Sequence, residues 1–429
     1  MEEKLRAVLD GFVRRHAGVR QRGTEWYRAM GETVGGSELA AVMGRSPYSS
    51  LHKVAADKVA ALQGRSSFEG GAFCWWGSLF QDVAAAVVEL DLGARVVGDD
   101  ICVREVPGHR NSPDGYILAR VVGTPSGLRL WSTDQDPPTG ATWAIVLLEI
   151  KCPASRLPQG RVPRHYVPQL WSGLAVSPAH FGLFVDAVFR KCSLEQLGPD
   201  PDYDAGYHGP RDVGRWEGAF AWGVIGVYAP AAPETPTEPA GAEPGSAGGP
   251  PAERAEKPAA REPIDLGRAG RGAFDEVLRA IDQKLYRVVR EPPSFADGRG
   301  AQGDPADAAR RLGAQAPAGF QLYGLLPWKL LEIELIPVAR RRGFLQEVRP
   351  LIAEVHRLAA AAAAGSDPAG YLRREAAAAR AALRPSPAAE TEDGPGEPGA
   401  SEAEVQDLFA ALEATEPRPP GDSTAPEPR

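Results

Sequence analysis

Ser112-Pro113-Asp114-Gly115 is followed, 35 residues after Asp114, by Leu148-Glu149-Ile150-Lys151. Two carboxylates and an ammonium in that order suit one kind of chemistry. Carboxylate oxygens are hard ligands that hold Mg²⁺, with Mn²⁺ able to substitute. A cation held so polarises a phosphodiester and makes hydroxide from water at neutral pH. An ammonium beside it orients that water and offsets charge building on the phosphorane. Taken singly, each motif has a bland reading: Ser-Pro-Asp-Gly is a turn, and Glu-x-Lys is a solvated strand face. Their order, with the second on an apolar run, makes them a candidate site.

The flanking residues show how such a site is positioned. Trp143 to Ile150 is apolar and rich in β-branched residues, which predicts a buried strand. Side chains alternate along a strand, so Glu149 and Lys151 share a face. Ile150 points into the core, and its carbonyl is a third oxygen for the metal beside Asp114 and Glu149. Pro113 cannot donate to a ladder, so Asp114 is expected where two strands diverge. The stretch from Lys151 to Phe184 holds no acidic residue but carries Lys151, Arg156, Arg161 and Arg164. That local field predicts contact with nucleic-acid phosphates.

Further segments carry a resemblance. Trp26-Tyr27-Arg28 precedes Gly35-Gly36-Ser37-Glu38-Leu39-Ala40-Ala41-Val42-Met43-Gly44-Arg45-Ser46-Pro47-Tyr48. Trp75-Trp76-Gly77 opens a helix, Leu148 to Pro153 reads LEIKCP, and Tyr166-Val167-Pro168-Gln169 follows. Together these resemble the λ-exonuclease/YqaJ group of PD-(D/E)xK nucleases, to which herpesvirus and baculovirus alkaline nucleases are related. Pro327 to Leu335 and Gly343 to Ala359 are similar to a late strand and the closing helix of that fold. The resemblance covers roughly residues 20–230 and 320–362.

The resemblance implies an α/β, restriction-endonuclease-like core: a mixed sheet with helices on both faces. It implies a Mg²⁺-dependent DNA nuclease, foremost a 5′→3′ exonuclease resecting double-stranded DNA ends in replication or recombination and feeding a single-strand annealing protein. Asp114 and Glu149 hold metal in that reading, with Ile150 and Gln81, and Lys151 activates water. Gln169 and Tyr166 position Lys151 or the scissile phosphate, while Arg28 and Ser37 hold the terminal phosphate. One departure stands out. The family has a glutamate where this chain has Gln81, a neutral ligand, with Asp82 as the neighbouring alternative. Two other functions stay open: an endonuclease, and a non-catalytic DNA-binding scaffold on the same fold.

Composition bounds the rest. Of the 429 residues, 48 are glycine and 40 proline, and much of 231–318 and 366–429 lacks apolar periodicity. Such segments cannot offset their ordering entropy. The expected organisation is a nuclease core at 1–230, a low-complexity insertion with one helix (around Phe274 to Val288) at 231–319, a last core strand and helix at 320–365, and a disordered tail at 366–429. Within the tail, Glu402 to Leu412 reads as a short acidic recruitment helix. Net charge is −8 overall, whereas residues 1–229 sum to about −1. Cys74, Cys102, Cys152 and Cys192 show no zinc spacing and fit a reducing compartment. The seven histidines form no cluster. No segment reaches a membrane span, so an intracellular protein is expected, nuclear if viral and otherwise cytoplasmic.

Helices are predicted over 3–15, from Gly36-Ser37 with Ser37 as N-cap, over Leu51–Leu62, Trp75–Leu90 and Tyr166–Ala175. The helix at Trp75–Leu90 is expected to bury Leu79, Val83, Ala86, Val87 and Leu90 on one face. Strands are predicted at Ile101–Glu105, Tyr116–Val121, Trp143–Lys151, His180–Phe189 and Trp222–Tyr228. Gly123 to Gly140 reads as a polar hairpin tip.

Overall fold

The structure is a computed structural model that describes residues 1–17, 24–63, 70–124, 127–131, 136, 139–198, 215–231, 262–296, 298, 300, 304 and 307–382. In chain order the elements are α1 (Glu2–His16), α2 (Thr24–Glu32), β1 (Val34–Gly35), α3 (Leu39–Val42), α4 (Leu51–Leu62), α5 (Ala72–Leu92), β2 (His109–Arg110), β3 (Gly115–Thr124), β4 (Gly127–Trp131), β5 (Thr142–Lys151), α6 (Val167–Ala175) and β6 (Phe181–Lys191). After these come β7 (Arg215–Pro230), β8 (Ile264–Asp265), α7 (Arg271–Asp282), β9 (Arg287–Arg290), β10 (Ser294–Phe295), α8 (Ala308–Gly313), β11 (Phe320–Val338), α9 (Phe344–Ala364) and α10 (Pro368–Ala382). They form two units, one of 1–189, 201–219 and 330–429, the other of 190–200 and 220–329.

The first unit holds the candidate site. Its strands run in the order β4-β3-β5-β6-β11. β3 pairs antiparallel with β5, and β5 pairs parallel with β6. A parallel neighbour needs a crossover, and α6 supplies it. The result is the expected mixed sheet flanked by helices. Leu5, Leu9 and Phe12 of α1 and Leu170 and Leu174 of α6 bury against Tyr116, Leu118, Ile145, Leu147 and Phe184. At ~25 cal/mol per Å² of apolar area, this burial is the main term holding helices to sheet. A second cluster joins Leu39 and Val42 of α3, Val54 and Val59 of α4, Val348 and Ile352 of α9 and Leu372 of α10.

The helix α5 buries Leu79, Phe80, Val83, Ala84, Val87 and Val88, with Phe80 stacked on Phe189 at 4.7 Å. Leu90, expected on that face, is exposed instead. The helix stops at Gly93, whose φ of 57° lets its N–H reach back to the Glu89 carbonyl.

Several sequence expectations are corrected. Ile101–Glu105 forms no strand; of its residues only Val103 bridges, to Asn111. Gly123–Gly140 is more than a loop tip. It contains β4, whose Trp131 returns opposite Arg120. Ser37 is not an N-cap. It lies within a 3₁₀ turn, Gly36–Glu38, and the Glu38 carboxylate caps from below by accepting the Gly35 N–H at 2.6 Å.

The expected low-complexity insertion supplies β8, β9, β10, α7 and α8 to the second unit. In that unit the strand order is β10-β7-β11, with β9 on β7 and β8 on β11. Among the described residues it has two helices rather than one, since Leu312 of α8 buries with Val224 and Leu325. The Tyr228 hydroxyl donates to the Leu312 carbonyl at 2.7 Å. Residues 368–382, expected in the tail, form α10 and anchor through Leu372. Short segments with weak periodicity order here because partners distant in sequence satisfy their backbone groups. The expected helix at Glu402–Leu412 lies outside the described residues.

Candidate active site

Asp114 immediately precedes β3, and Gly115 opposes Leu148 in the ladder. Gly115 has φ +142°, and a side chain there would run into Val96. The antiparallel register therefore delivers Asp114 beside Glu149 at the end of β5. The Ile150 N–H donates to Asp114 Oδ2 at 2.7 Å, and the Gln81 amide donates to Oδ1 at 2.8 Å. Glu149 is 2% exposed, and the Lys151 ammonium bonds its Oε1. The ammonium also sits 5.2 Å from the Tyr166 ring centroid, a cation–π distance.

The electrostatics follow from burial and crowding. Burial pushes the Glu149 carboxyl above the ordinary carboxylate range; the nearby Asp114 charge adds to this and Lys151 opposes it. Burial alone would lower Lys151, but Glu149 and Asp114 outweigh it and hold the ammonium charged, above its usual pKa. The Cys152 thiol is pushed well up by burial and by Asp114. Cys152 is therefore a packing residue rather than a thiolate nucleophile.

The donor set fits a hard divalent cation. Asp114 and Glu149 are buried or half-buried carboxylates held side by side, an arrangement whose negative charge a cation would offset. Among the described residues, no group of three His, Cys, Asp or Glu side chains is arranged to hold a metal. Two carboxylates without thiolates or imidazoles suit Mg²⁺, which keeps several waters and binds through one or two carboxylates plus substrate phosphate. The thiolates and imidazoles from which zinc sites are mostly built are not among these ligands.

The structure brings Asp114, Glu149, Ile150, Lys151, Gln81 and Tyr166 together. Gln169 is half-buried on α6, three residues beyond Tyr166. Arg28 is exposed on α2 and Ser37 is exposed in its turn. Arg161 and Arg164 are exposed in the segment before α6. Arg156 departs from expectation. Both its terminal nitrogens bond Asp186, with Nη2 to Oδ1 at 2.7 Å. Asp186 is fully buried and opposes Lys151 in the ladder. Arg156 neutralises that carboxylate, so its bonding groups are directed inward rather than to phosphate.

Sequence reasoning missed a buried polar network under the Gly35-Gly36 turn. Glu38 bonds the Lys58 ammonium at 2.7 and 2.8 Å, and Lys58 also donates to the Met30 carbonyl. Arg110 lies 3.7 Å from Glu38. A Cβ on Gly35 would sit 2.7 Å from Arg110 Nη1, so a side chain there would displace that guanidinium. His109 bonds the Val34 carbonyl at 2.7 Å and the Ser172 hydroxyl at 2.8 Å, and Asn111 donates to Ser172 at 3.1 Å. The only sequence signal was Glu38 three residues after Gly35, the spacing of a cap. Its distant partners are Lys58 of α4 and Arg110 of β2.

The chain is similar in sequence to known proteins. Residues 25–180 match the YqaJ-like viral recombinase domain. Protein D345L of African swine fever virus is 28% identical over 338 residues in the Tick/Malawi and Tick/South Africa isolates, covering 77% of this chain and 84% of the relative. An alkaline exonuclease from Laribacter hongkongensis is 20% identical over 39% of this chain and 74% of its own, at a TM-score of 0.29. The same enzyme with dAMP gives a TM-score of 0.27, 20% identity, and coverage of 38% and 73%. A structural likeness that slight carries no argument about function. Residues 25–180, which hold Asp114, Glu149 and Lys151, are thus similar to the YqaJ-like viral recombinase domain.

Proposed function

We propose that this protein is a Mg²⁺-dependent deoxyribonuclease that resects double-stranded DNA ends 5′→3′. The observation that carries the proposal is the convergence of Asp114, Glu149 and Lys151, from the start of one strand and the end of its neighbour, around a shared pocket of charge. Asp114 and Glu149, with the Ile150 carbonyl and Gln81, are the residues that would hold the cation. The cation supplies Lewis acidity toward the phosphodiester and a more acidic water. Lys151, kept charged by its two carboxylate neighbours, orients the attacking water through its N–H groups and offsets charge on the phosphate oxygens. Tyr166 packs against the ammonium and limits its freedom, and Gln169 lies one helical turn on. Arg28 and Ser37, both exposed, are available to a terminal phosphate, as are Arg161 and Arg164 to the adjacent backbone. Single-strand product of such resection is the substrate class of an annealing protein.

The decisive experiment incubates end-labelled duplex with the protein in Mg²⁺, Mn²⁺ or EDTA. It compares 5′-phosphate with 5′-hydroxyl ends and linear with closed circular DNA. Stepwise release of 5′ nucleotides from linear DNA only, faster from 5′-phosphate ends and slowed by Arg28→Ala, is expected. Cutting of circles at the same rate replaces the proposal with an endonuclease. Binding without cutting under any metal leaves a scaffold, the reading that Gln81 in place of a carboxylate favours.

A further inference from the structure

Three aromatic rings form a continuous row between the protein surface and Lys151. Tyr48 lies in the loop joining α3 to α4 and is 83% exposed. Its ring meets His165 edge-on at 5.6 Å between centroids. His165 meets Tyr166 at 4.1 Å, and Tyr166 carries the Lys151 ammonium over its face and stacks on buried Phe184 at 5.5 Å. The inner end of the row is thus packed into the core, and the outer end is open to solvent.

The outer end is held in place by its backbone. Gly44 adopts φ +70° just after α3 ends, which turns the chain. The Ser46 hydroxyl accepts the Tyr48 N–H at 3.2 Å, and Pro47 restricts the residue between. Ser50 then caps α4 by accepting the Lys53 N–H at 3.3 Å. A short loop pinned at both ends presents a large ring to water. An exposed tyrosine alone is ordinary; one that heads a row of rings ending on the site's lysine is not. His165 is held below its ordinary pKa by burial and by the Arg156 and Lys151 charges, so it presents an uncharged ring. Exposed Arg161 and Arg164 lie one to four residues before His165.

Aromatic rings beside a cationic strip are what a single nucleic-acid strand requires: bases stack on the rings and phosphates follow the charges. We infer that Tyr48 and His165 form a stacking platform for an unpaired nucleobase next to the phosphate held at Asp114, Glu149 and Lys151. The inference rests on the proposed nuclease reading and adds to it a single-stranded subsite. The platform is sequence-tolerant, because every base offers a π-face. Tyr48 and His165 are positioning residues, since they would touch a base rather than the reacting phosphate.

The test measures binding in EDTA, so that cleavage plays no part. Fluorescein-labelled duplexes with a short single-stranded end are made with one abasic nucleotide moved stepwise through that end. Wild-type protein is expected to lose about five- to a hundred-fold in affinity at one position of the abasic site. Tyr48→Ala is expected to weaken intact DNA by a similar factor and to be insensitive to the abasic site at that position. Tyr48→Phe should bind as wild type does, because the face is retained. Tyr48→Trp should bind with quenching of its emission. An abasic penalty equal in wild type and Tyr48→Ala overturns the platform while leaving the nuclease reading intact. Absence of DNA binding by folded wild-type protein overturns both.

Discussion

Gln81 and Asp114 are joined side chain to side chain, with Gln81 Nε2 donating to Asp114 Oδ1 at 2.8 Å. The amide satisfies one carboxylate oxygen without adding charge. A cation on Asp114 would repel the N–H dipole, so Gln81 must turn its oxygen inward or step aside when metal binds. Gln81→Glu would set two carboxylates face to face in the free protein. The melting temperature of the free variant should fall, Mg²⁺ should raise it more than in wild type, and half-maximal cutting should need several-fold less Mg²⁺. An unchanged Mg²⁺ requirement, with loss of cutting in Asp82→Ala, would transfer the role to Asp82.

Asp114→Asn and Lys151→Ala should each lower turnover by about 10²-fold or more, the scale for a lost charge-stabilising group. Asparagine can still accept the Ile150 N–H, and in Lys151→Ala the Glu149 carboxyl, already pushed up by burial, can take a proton in place of its lost partner, so both variants should remain folded. DNA affinity in EDTA should stay within a few-fold of wild type. Single-turnover cleavage at the wild-type rate in either variant would remove these residues from the chemistry.

The Arg156–Asp186 pair predicts a stability effect and not a catalytic one. Burial pushes the Asp186 carboxyl up and Arg156 opposes this. Arg156→Ala would leave a fully buried carboxylate without its charge partner, a loss of about 3 kcal/mol. Removing both charges, as Arg156→Met with Asp186→Leu, should recover much of that. Urea unfolding of the three proteins checks it. Equal midpoints for wild type and Arg156→Ala would mean the pair contributes nothing.

His109 predicts an acid limit. Burial lowers it to about 4, below the ordinary 6.5, with the nearby Arg110 also lowering it and the Val34 hydrogen bond opposing. The unfolded chain therefore binds this proton more readily than the folded one. Its contribution is complete above pH 6.5 and is lost as pH falls from 6.5 toward 4, up to about 3 kcal/mol in all. Denaturant unfolding between pH 4 and pH 7.5 should show that slope, and His109→Gln should flatten it. A slope unchanged in His109→Gln would assign the acid sensitivity elsewhere.

The chain should fold and cut when it ends after Ala382 but not when it ends after Gly365. The longer form keeps Leu372, which is 5% exposed against α4 and α9. Loss of a buried leucine alone costs about 2–5 kcal/mol, and the shorter form loses the whole helix. Circular dichroism melting separates the two. Equal melting temperatures would make α10 an unnecessary appendage.

The placement of the candidate site's carboxylates and ammonium was legible in the sequence because it depends on residue type and strand period. Asp114, Glu149 and Lys151 are local in kind: a turn before one strand, and two same-face positions on another, readable from proline, glycine and an apolar run. The helices α4 and α6 and the strands β3, β5 and β6 were likewise carried by local periodicity. What only the tertiary structure decided are relationships between distant segments. The ladder register set Asp114 against Glu149, and α5 brought Gln81 onto that carboxylate across 33 residues. The buried Asp186 claimed Arg156, which by composition alone looked like a phosphate contact. Glu38, Lys58 and Arg110 met beneath a glycine turn, and β8, β9 and β10 paired with β7 and β11, strands on either side in sequence. The physical reason is common to all of these. A buried charge or unpaired backbone group must find a partner, and which partner it finds depends on the packing of the whole chain, not on its neighbours in sequence.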